Sequence, residues 1–235
     1  MKSLKKIAKN RLFRLLKAKS QKGQDKWVLG DVFPFRFGRF FLDVAAADGI
    51  THSNTYLLEN TFKWKGLCIE ANPYFFEELQ RNRSCICVNH ALSDKKEKVQ
   101  FRVDNGQLGG IVADDTDNNP GVRADQLSDA KIIEMEAITL TDILDEHNVP
   151  AVIDYFSLDV EGSEERIIRS FDFSKYRFLS LTIERPTPLI NQILFENNYQ
   201  FVKNHMNDTF YVHETVLEIR KIRCEPFEQI SPKNW

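Results

Sequence analysis

The stretch FFLDVAAADGITHSNTYLLENTFKWKGLCIE, residues 40–70, determines the fold of this chain. One apolar run ends in Asp43, and a second run, which begins at Gly66, ends in Glu70. A turn of small residues, 44–49, and a short helical segment separate them, and the candidate helix caps are Ser53, Asn54 and Thr55. A strand–turn–helix–strand pattern of about 30 residues has the size of one βαβ crossover. It predicts a parallel sheet with an acid at the carboxyl end of each strand, where open α/β sheets bind ligands.

Apolar runs that alternate with helical segments continue along the chain. They predict further strands at 85–88, 98–103, 133–138, 153–159, 178–184, 199–203 and 209–213. Because only a short turn at Asn207 and Asp208 joins the last two strands, these two must be antiparallel. The sequence therefore predicts an α/β fold with a doubly wound, mostly parallel sheet, one antiparallel strand and helices on both faces.

The composition is that of a globular protein, since 42% of the 235 residues are hydrophobic and 28% are charged. This length suits one α/β domain with short appendages, and we expect the domain at 27–214. Within it, residues 104–130 are rich in Gly, Asn and Asp and are predicted to form a substrate-side loop. The polar residues 215–235 are predicted to form a C-terminal helix or tail.

Four cysteines, Cys68, Cys85, Cys87 and Cys224, lack the paired spacing of a zinc site. We interpret them as reduced thiols, which predicts a cytoplasmic protein. The sequence also lacks the roughly 18 consecutive apolar residues that a membrane-spanning helix requires.

The net charge of −2 conceals an asymmetry between the first 26 residues and the rest of the chain. Residues 1–26 contain ten Lys and Arg side chains and one acid, Asp25, whereas the remainder contains 22 basic and 33 acidic side chains. Because this acidic remainder lacks basic clusters with interleaved aromatic residues, a nucleic-acid partner is disfavoured.

Within residues 1–26, the segment 1–19 predicts a basic amphipathic helix with an apolar stripe formed by Leu4, Ile7, Ala8, Leu12, Leu15 and Leu16. Arg11 and Arg14 interrupt the only apolar cluster, which argues against a secretory signal. Three interpretations remain open: packing on its own domain, peripheral contact with a membrane surface or an anionic polymer, and contact with another subunit. The oligomeric state is not predicted.

The turn after the first strand does not match the GxGxxG pattern of dinucleotide-binding proteins, because Gly49 is its only glycine. Two carboxylates, Asp43 and Asp48, would repel a pyrophosphate there. They suit S-adenosylmethionine, whose ammonium group they would hold directly or through water, while Glu70 would accept hydrogen bonds from the ribose hydroxyls. The alternative is that the small residues serve close packing and the acids are helix caps.

Seven segments resemble, in order and spacing, the FkbM-like family of S-adenosylmethionine-dependent methyltransferases. They are SQKGQDKWVL (20–29), FLDVAAADG (41–49), SNTYLLE (53–59), WKGLCIEANP (64–73), NHALS (89–93), DYFSLDVEGSE (154–164) and TIERP (182–186). The resemblance extends from about Ser20 to His213. It implies a Rossmann-like class I methyltransferase fold, whose seven-stranded sheet contains one antiparallel strand, and methyl transfer to an oxygen, often of a sugar or glycan.

Mapped onto this sequence, the resemblance implies a donor site formed by Asp43, Ala45, Asp48, Gly49, Asn54, Glu70, Ala91 and Asp159. The adenine would lie near Asn89–Leu92, and residues 21–25 would contribute to a lid over the cofactor. The chain departs from the family's GANDG turn, because Ala45 replaces the first glycine and Ala47 replaces the asparagine. The alanine Cβ restricts the backbone, so the geometry beneath the methionine moiety is the point most affected.

Four acids end adjacent strands of the predicted sheet: Asp43, Glu70, Asp159 and Glu184. The strand order of a doubly wound sheet would put the last two side by side, with Glu161 nearby. A hydroxyl acceptor must lose its proton, so we predict that Glu161, Asp159 and Glu184 are catalytic, with Glu161 or Glu184 as general base. Alternatively, these three acids would bind Mg²⁺ or another divalent cation, with Asp159 and Glu184 as ligands. A third interpretation is helix capping plus an ion pair between Glu184 and Arg185 or Arg166.

The function predicted from the sequence is S-adenosylmethionine-dependent O-methylation of a hydroxyl, on a sugar or glycan acceptor. Ala45 and Ala47 motivate an alternative, a catalytically inactive cofactor-binding or interaction module. A nicotinamide-dependent enzyme that transfers hydride is a third interpretation. Two histidines near the predicted site, His52 and His90, rank behind Glu161 as catalytic candidates, because a lone histidine is more often structural.

Overall fold

A computed structural model describes residues 11–13 and 15–230 of the chain. Most of the predicted N-terminal helix therefore lies outside the described residues, although residues 11–13 and 15 are helical. Within the described residues, every helix is too short or too polar to cross a membrane.

The strands are β1 (Phe40–Val44), β2 (Lys65–Ile69), β3 (Ile86–Val88), β4 (Ala91–Leu92), β5 (Glu97–Arg102), β6 (Gly110–Ile111), β7 (Ile132–Ile138), β8 (Val152–Leu158), β9 (Arg177–Glu184), β10 (Tyr199–His205) and β11 (Asp208–His213). The helices are α1 (Gln24–Trp27), α2 (Tyr56–Asn60), α3 (Pro73–Asn82), α4 (Ala124–Leu127), α5 (Leu140–Glu146), α6 (Glu164–Ser170), α7 (Pro188–Glu196) and α8 (Glu214–Ile219). A π-helical turn, Val28–Val32, continues α1.

Seven strands form the main sheet in the order β10-β11-β9-β8-β1-β2-β3. Strand β11 is antiparallel to both of its neighbours, and all other adjacent pairs are parallel. The fold predicted from the sequence is therefore confirmed. Because β1 pairs with β2 on one side and with β8 on the other, the strand order reverses at β1. This reversal opens a crevice at the carboxyl ends of the strands.

Local sequence signals set the helix starts next to this crevice. The side chain of Asn72 accepts a hydrogen bond from the Tyr74 amide, and Pro73 occupies the first turn of α3. Of the three candidate caps of α2, Thr55 occupies the N-cap position without a capping bond from its side chain. The Ser53 hydroxyl accepts hydrogen bonds from the amides of Thr55 and Tyr56 instead. These caps fix where the chain leaves the sheet edge, and hence the shape of the crevice wall.

A second sheet, in the order β4-β7-β5-β6, was not predicted from the sequence. Strands β4 and β6 contain two residues each, which is too short for a periodic pattern. The sheet has its own small core, formed by Ala91, Val99, Phe101, Val103, Ile111 and Ala137. It draws the beginning of the predicted 104–130 loop towards the crevice.

Side chains alternate between the two faces of the main sheet, so each face has its own core. On β1, Leu42 belongs to one core, and Phe41 belongs to the other. Phe13 is buried in the second core, where it packs with Trp27. Among the described residues of the N-terminal segment, Phe13 packs on the domain, whereas Leu12 and Leu15 of the predicted apolar stripe are exposed. The three interpretations of this segment therefore stay predictions.

Gly66 on β2 tests this packing, because a Cβ added there would lie 2.3 Å from two ring atoms of the fully buried Phe41. We expect Gly66→Ala to lower the free energy of unfolding by about 1–3 kcal/mol, measured by urea denaturation. Gly121→Ala is the matched control, because its Cβ meets only the Asn119 side-chain oxygen among the described residues, at 3.2 Å. That variant should change stability by less than about 0.5 kcal/mol. Equal losses in both variants would contradict this packing.

Candidate active site

A cavity of about 260 Å³ lies at the carboxyl ends of β1, β2, β8 and β9. The predicted residues that line it are Asp43, Ala45, Asn54, Glu70, Ala91, Asp159, Glu161 and Glu184. The lining also includes the apolar side chains of Ala71, Phe75, Leu92, Phe101 and Ile111. Gln21, Lys22 and Gln24 also line the cavity, as expected for a lid segment.

Two residues predicted for the donor site, Asp48 and Gly49, are not among the lining residues. The Asp48 carboxylate accepts hydrogen bonds from the Ile50 amide at 2.8 Å and the Thr51 amide at 2.7 Å. Gly49 has a φ of +78°, and its carbonyl accepts a hydrogen bond from Arg83. Both residues therefore shape the turn, and neither is placed to contact a ligand in the cavity.

Several non-glycine residues at the cavity have left-handed backbone conformations. In the turn after β1, Ala45 has a φ of +61° and Ala47 a φ of +48°. On the opposite side, Glu161 has a φ of +55°, and Arg185, which pairs with Glu161, has a φ of +44°. A side chain disfavours this conformation by roughly 1–2 kcal/mol per residue. Such conformations concentrate at functional sites, where the surrounding structure holds them.

Glu70 holds the strained turn in place. One carboxylate oxygen accepts a hydrogen bond from the Ala47 amide at 2.7 Å, and the other accepts one from the Asn72 amide at 2.8 Å. Burial raises the pKa of Glu70 to about 7, although these backbone hydrogen bonds oppose the shift. Each oxygen keeps a second acceptor position, so Glu70 can clamp the turn and still bind a hydroxyl group.

Asp43 is buried at the floor of the cavity. The Thr55 hydroxyl donates a hydrogen bond of 2.5 Å to its carboxylate, and Arg83 in turn donates to the Thr55 hydroxyl at 2.9 Å. Burial raises the pKa of Asp43 to about 6, and the charge of Arg83 opposes this shift. A cationic group bound in the cavity would, like Arg83, lower the pKa of Asp43 and favour its ionised form.

Arg83 was not predicted from the sequence, yet its fully buried guanidinium organises this end of the cavity. It forms an ion pair with Glu59 and donates to the Gly49 carbonyl at 3.2 Å. It thereby links the end of α3 to the turn after β1 and to α2. A basic residue at the end of an amphipathic helix is common on protein surfaces, so the sequence pattern gives no signal for this role.

Asn54 provides a test of whether the cavity fits S-adenosylmethionine. Its side-chain amide donates to the Ser157 hydroxyl at 2.9 Å, whereas its buried Oδ1 atom finds no donor among the described residues. A buried acceptor without a partner costs free energy unless a ligand supplies a donor. The ammonium group of an amino acid is such a donor, so the residues present fit the expected cofactor.

Acids also converge at the carboxyl ends of β8 and β9. One oxygen atom from each of Asp159, Glu164 and Glu184 lies within 4.8 Å of the others. Glu164 takes the place in this cluster that the sequence suggested for Glu161. Its carboxylate accepts hydrogen bonds from the amides of Val160 at 2.9 Å and Gly162 at 3.0 Å. The only sequence signal for the participation of Glu164 was its position five residues after Asp159.

Two basic side chains partly neutralise the acids. Lys22 forms ion pairs with Glu184 at 3.3 Å and with Asp208 at 3.0 Å. Arg185 contacts Asp117 at 2.6 Å, Glu161 at 3.2 Å and Glu184 at 2.9 Å. The ion pair between Glu184 and Arg185, which the sequence offered as one interpretation, is therefore present. The participation of Lys22, Asp117 and Asp208 was missed, because all three are distant in sequence from the strand ends.

The acids at β8 and β9 differ in protonation. Burial, with the charges of Glu184 and Glu161, raises the pKa of Asp159 well above its usual range. Burial alone would raise the pKa of Glu184, but a hydrogen bond from Asp159 and the charges of Arg185 and Lys22 lower it. The two directions favour protonation of Asp159 over protonation of Glu184. Burial and the Glu184 charge raise the pKa of Glu161 to about 8.

The predicted substrate-side loop reaches the cavity at two places. Residues 106–111 line the cavity, and the Asp117 amide donates a hydrogen bond of 3.1 Å to the Glu161 carbonyl. His52 also lines the cavity, with its Nδ1 atom 3.4 Å from the Gln107 side-chain oxygen. The loop thus borders Glu161 and also reaches the turn after β1.

The left-handed conformation of Ala45 leads to a stability prediction. We expect Ala45→Gly to raise the free energy of unfolding by about 0.5–1 kcal/mol, because glycine removes the Cβ strain. The neighbouring Ala46→Gly is the control: its φ is not positive, so added chain entropy should lower stability by about 0.5–1 kcal/mol. Urea denaturation of both variants measures the two effects. A loss of stability in Ala45→Gly equal to that in Ala46→Gly would show that Ala45 is unstrained.

The raised pKa of Glu161 leads to a prediction of pH-dependent stability. The folded protein keeps the Glu161 proton up to about pH 8, whereas the unfolded chain loses it at an ordinary pKa of 4.5. Stability due to this group therefore falls as pH rises between these values. We expect Glu161→Gln to become increasingly stable relative to wild type between about pH 5 and about pH 8, in urea denaturation.

The control for this measurement is Asp115→Asn. A hydrogen bond from Arg166 lowers the pKa of Asp115, so its carboxylate is ionised in both folded and unfolded protein across that pH range. Its substitution should lower stability by the same amount at each pH. If the difference between Glu161→Gln and wild type were also constant with pH, the assignment of a raised pKa to Glu161 would be wrong.

Comparison with solved structures finds matches at low identity. A precorrin-6y C5,15-methyltransferase from Geobacter metallireducens GS-15 is 11% identical, with a TM-score of 0.44; the match covers 83% of this chain and 91% of that chain. A methyltransferase FkbM from Methylobacillus flagellatus KT is 16% identical, with a TM-score of 0.47 and coverage of 86% and 58%. An S-adenosylmethionine-dependent methyltransferase from Aquifex aeolicus is 11% identical, with a TM-score of 0.34 and coverage of 76% and 82%. All three TM-scores are below 0.5, and the family assignment of this chain does not rest on these matches.

The sequence matches none of the curated proteins with which it was compared. A model of the methyltransferase FkbM domain, in contrast, matches residues 43–215, which is most of the chain. The match begins at Asp43 on β1 and ends just after β11, so it spans every strand of both sheets except the first three residues of β1. The chain therefore belongs to the FkbM family of S-adenosylmethionine-dependent methyltransferases.

Proposed function

We propose that the protein transfers a methyl group from S-adenosylmethionine to a hydroxyl of a sugar or glycan, with Glu161 as general base. The observation that carries the proposal is that two groups of acceptors line one cavity. Asp43 near the end of β1, Asn54, and Glu70 just after β2 form an acceptor-rich donor end. Glu161 follows β8, on the opposite side of β1 from β2, and its pKa of about 8 leaves it mostly protonated at pH 7, so we expect the ionised base and the rate of transfer to increase towards pH 8.

The donor end offers a distinct group for each part of S-adenosylmethionine. The free Oδ1 atom of Asn54 and the Asp43 carboxylate would hold the ammonium group. Glu70 would accept hydrogen bonds from the ribose hydroxyls, and the apolar side chains of Phe101 and Ile111 would pack on the adenine. The clamp of Glu70 on the Ala47 amide keeps this arrangement in place before the donor binds.

Bound S-adenosylmethionine supplies an electrophilic methyl group. The protein must place the acceptor hydroxyl in line with that group and remove its proton. Glu161 would accept the proton on its carboxylate, and the Arg185 contact at 3.2 Å orients that carboxylate. Burial and the charges of Glu184 and Glu161 raise the pKa of Asp159 well above its usual range, which makes Asp159 a weaker candidate for the base than Glu161, whose pKa of about 8 lies closer to neutral pH.

A polyhydroxylated acceptor is consistent with the polar groups at the mouth of the cavity. Gln21 and His52 are exposed and line the cavity, and their side chains can donate or accept hydrogen bonds there. The acids outnumber the basic groups, which disfavours a polyanion such as nucleic acid. The unpaired state of all four cysteines supports a cytoplasmic location for the reaction, as part of the same proposal.

A divalent cation is the alternative means of activating the hydroxyl. The oxygens of Asp159, Glu164 and Glu184 are close enough together to be its ligands. However, Lys22 and Arg185 already pair with Glu184, and a cation would have to compete with both. We therefore propose the general base as the main mechanism, and a chelator distinguishes the two.

The first test is calorimetric titration with S-adenosylmethionine and S-adenosylhomocysteine, in excess Mg²⁺ and in a chelator. We expect both to bind equally well in either condition. Glu70→Gln should weaken binding by roughly tenfold to a hundredfold, because it removes hydrogen bonds to a charged acceptor. Glu161→Gln should bind as wild type does. Failure of the wild-type protein to bind either compound would overturn the proposal, and dependence on Mg²⁺ would favour the cation mechanism.

The second measurement follows labelled methyl transfer to a panel of sugars, nucleotide sugars and oligosaccharides. Loss of a general base should reduce turnover by Glu161→Gln about 10²–10⁴-fold. The melting temperature of each variant separates loss of function from loss of folding. Donor binding without transfer to any hydroxyl acceptor would favour the inactive cofactor-binding module. Protection against heat by a nicotinamide cofactor alone would favour a hydride-transfer enzyme.

A further inference from the structure

Apolar and basic residues form an exposed surface at the end of the sheet opposite the cavity. We call it the aromatic–basic face, and it comprises Leu12, Leu15, Lys17, Phe35, Arg36, Phe37, Lys63 and Lys65. Leu15 is 72% exposed and Phe37 is 63% exposed, and both are apolar. Large apolar side chains that lie together on a surface commonly mark an interaction site.

This face is held rigidly by the core beneath it. The Phe35 ring stacks on Phe13 with centroids 5.7 Å apart, and it also contacts Phe62 at 6.0 Å. Phe37 packs against Phe62 at 5.1 Å. The Trp64 indole donates a hydrogen bond of 2.7 Å to the Arg36 carbonyl. The exposure of these rings is therefore a fixed feature of the loop that precedes β1.

The charges on this face are predominantly positive. Lys17, Arg36, Lys63 and Lys65 are all exposed. Among the described residues, the ion pairs do not include these four side chains. The nearby Asp154 is already paired with Arg39. The face is thus basic, whereas the cavity at the other end of the molecule is acidic.

We propose that the aromatic–basic face docks on an anionic lipid bilayer. Its composition matches the requirements of such a surface, because apolar side chains enter the acyl boundary while basic side chains meet the headgroups. A nucleic acid would use the aromatic rings and the basic groups, but it offers nothing to the aliphatic Leu12 and Leu15. The presence of both kinds of apolar side chain favours lipid.

The docked orientation is set by the sheet. Phe37 lies three residues before the start of β1, and Lys63 lies two residues before the start of β2, so the face lies at the amino ends of these strands. The cavity lies at their carboxyl ends, about 17 Å away for strands of five residues. Docking would therefore hold the protein at the membrane with the cavity open towards water. This proposal is independent of the proposed reaction.

The test is co-sedimentation of the full chain with vesicles of phosphatidylcholine alone or with added phosphatidylserine. We expect binding to the anionic vesicles only, with weakening at high salt. Phe37→Ser should weaken this binding by about tenfold, because its ring no longer inserts. Met206→Ser is the matched control: Met206 is 72% exposed but lies in the β10–β11 turn, at the cavity end. It should bind as wild type does.

Three outcomes would overturn the proposal. The first is absence of binding to anionic vesicles. The second is undiminished binding by Phe37→Ser, which would mean that the four lysines within residues 1–10 suffice by charge alone. The third is binding to a single-stranded oligonucleotide but not to vesicles, which would assign the face to nucleic acid. Calorimetric titration of Phe37→Ser with S-adenosylhomocysteine should match wild type and shows that the variant is folded.

Discussion

The buried Arg83 guanidinium is the interaction on which the donor end of the cavity depends. It neutralises Glu59, binds the Gly49 carbonyl, and reaches Asp43 through the Thr55 hydroxyl. A buried ion pair is stable only when its remaining hydrogen-bonding groups also find partners, and loss of one partner typically costs about 3–5 kcal/mol. For Arg83, these partners are the Gly49 carbonyl and the Thr55 hydroxyl, which belong to the floor of the cavity. The conformation of the turn after β1 and the charge on Asp43 are therefore coupled to one side chain.

At the carboxyl ends of β8 and β9, the cavity contains more acidic than basic side chains. Six carboxyl groups converge there on two basic side chains, so the cluster cannot be fully ionised in the absence of a ligand; the acids are Asp117, Asp159, Glu161, Glu164, Glu184 and Asp208. Burial and mutual repulsion raise the pKa of several of them, notably Asp159. Such an arrangement opposes folding, and Glu161 adds backbone strain. Proteins retain groups of this kind where proton transfer or ligand binding needs them.

Much of the site was predictable, because the relevant residues follow strands in the sequence. The acids Asp43, Glu70, Asp159 and Glu184 could be assigned to one edge once the strands were recognised, and all four line the cavity. Errors arose where sequence proximity is a poor guide to side-chain direction. Asp48 is adjacent to the cavity in sequence but bonds to its own turn. The two-residue strands β4 and β6 were missed, because pairing with β7 and β5 defines them rather than any periodicity of their own.

The sequence by itself determined the alternation of strands and helices, the antiparallel final strand and the family, because these depend on local periodicity, turn chemistry and motif order. Only the tertiary structure decided which charged groups share the cavity. Arg83 and Lys22 act through contacts with residues far away in the chain, such as the pair of Lys22 with Glu184. The tertiary structure also decided that Glu164, rather than Glu161, lies in the cluster of carboxylate oxygens with Asp159 and Glu184. Ionisation depends on burial and on neighbours in space, and the linear order of residues specifies neither until the chain is folded.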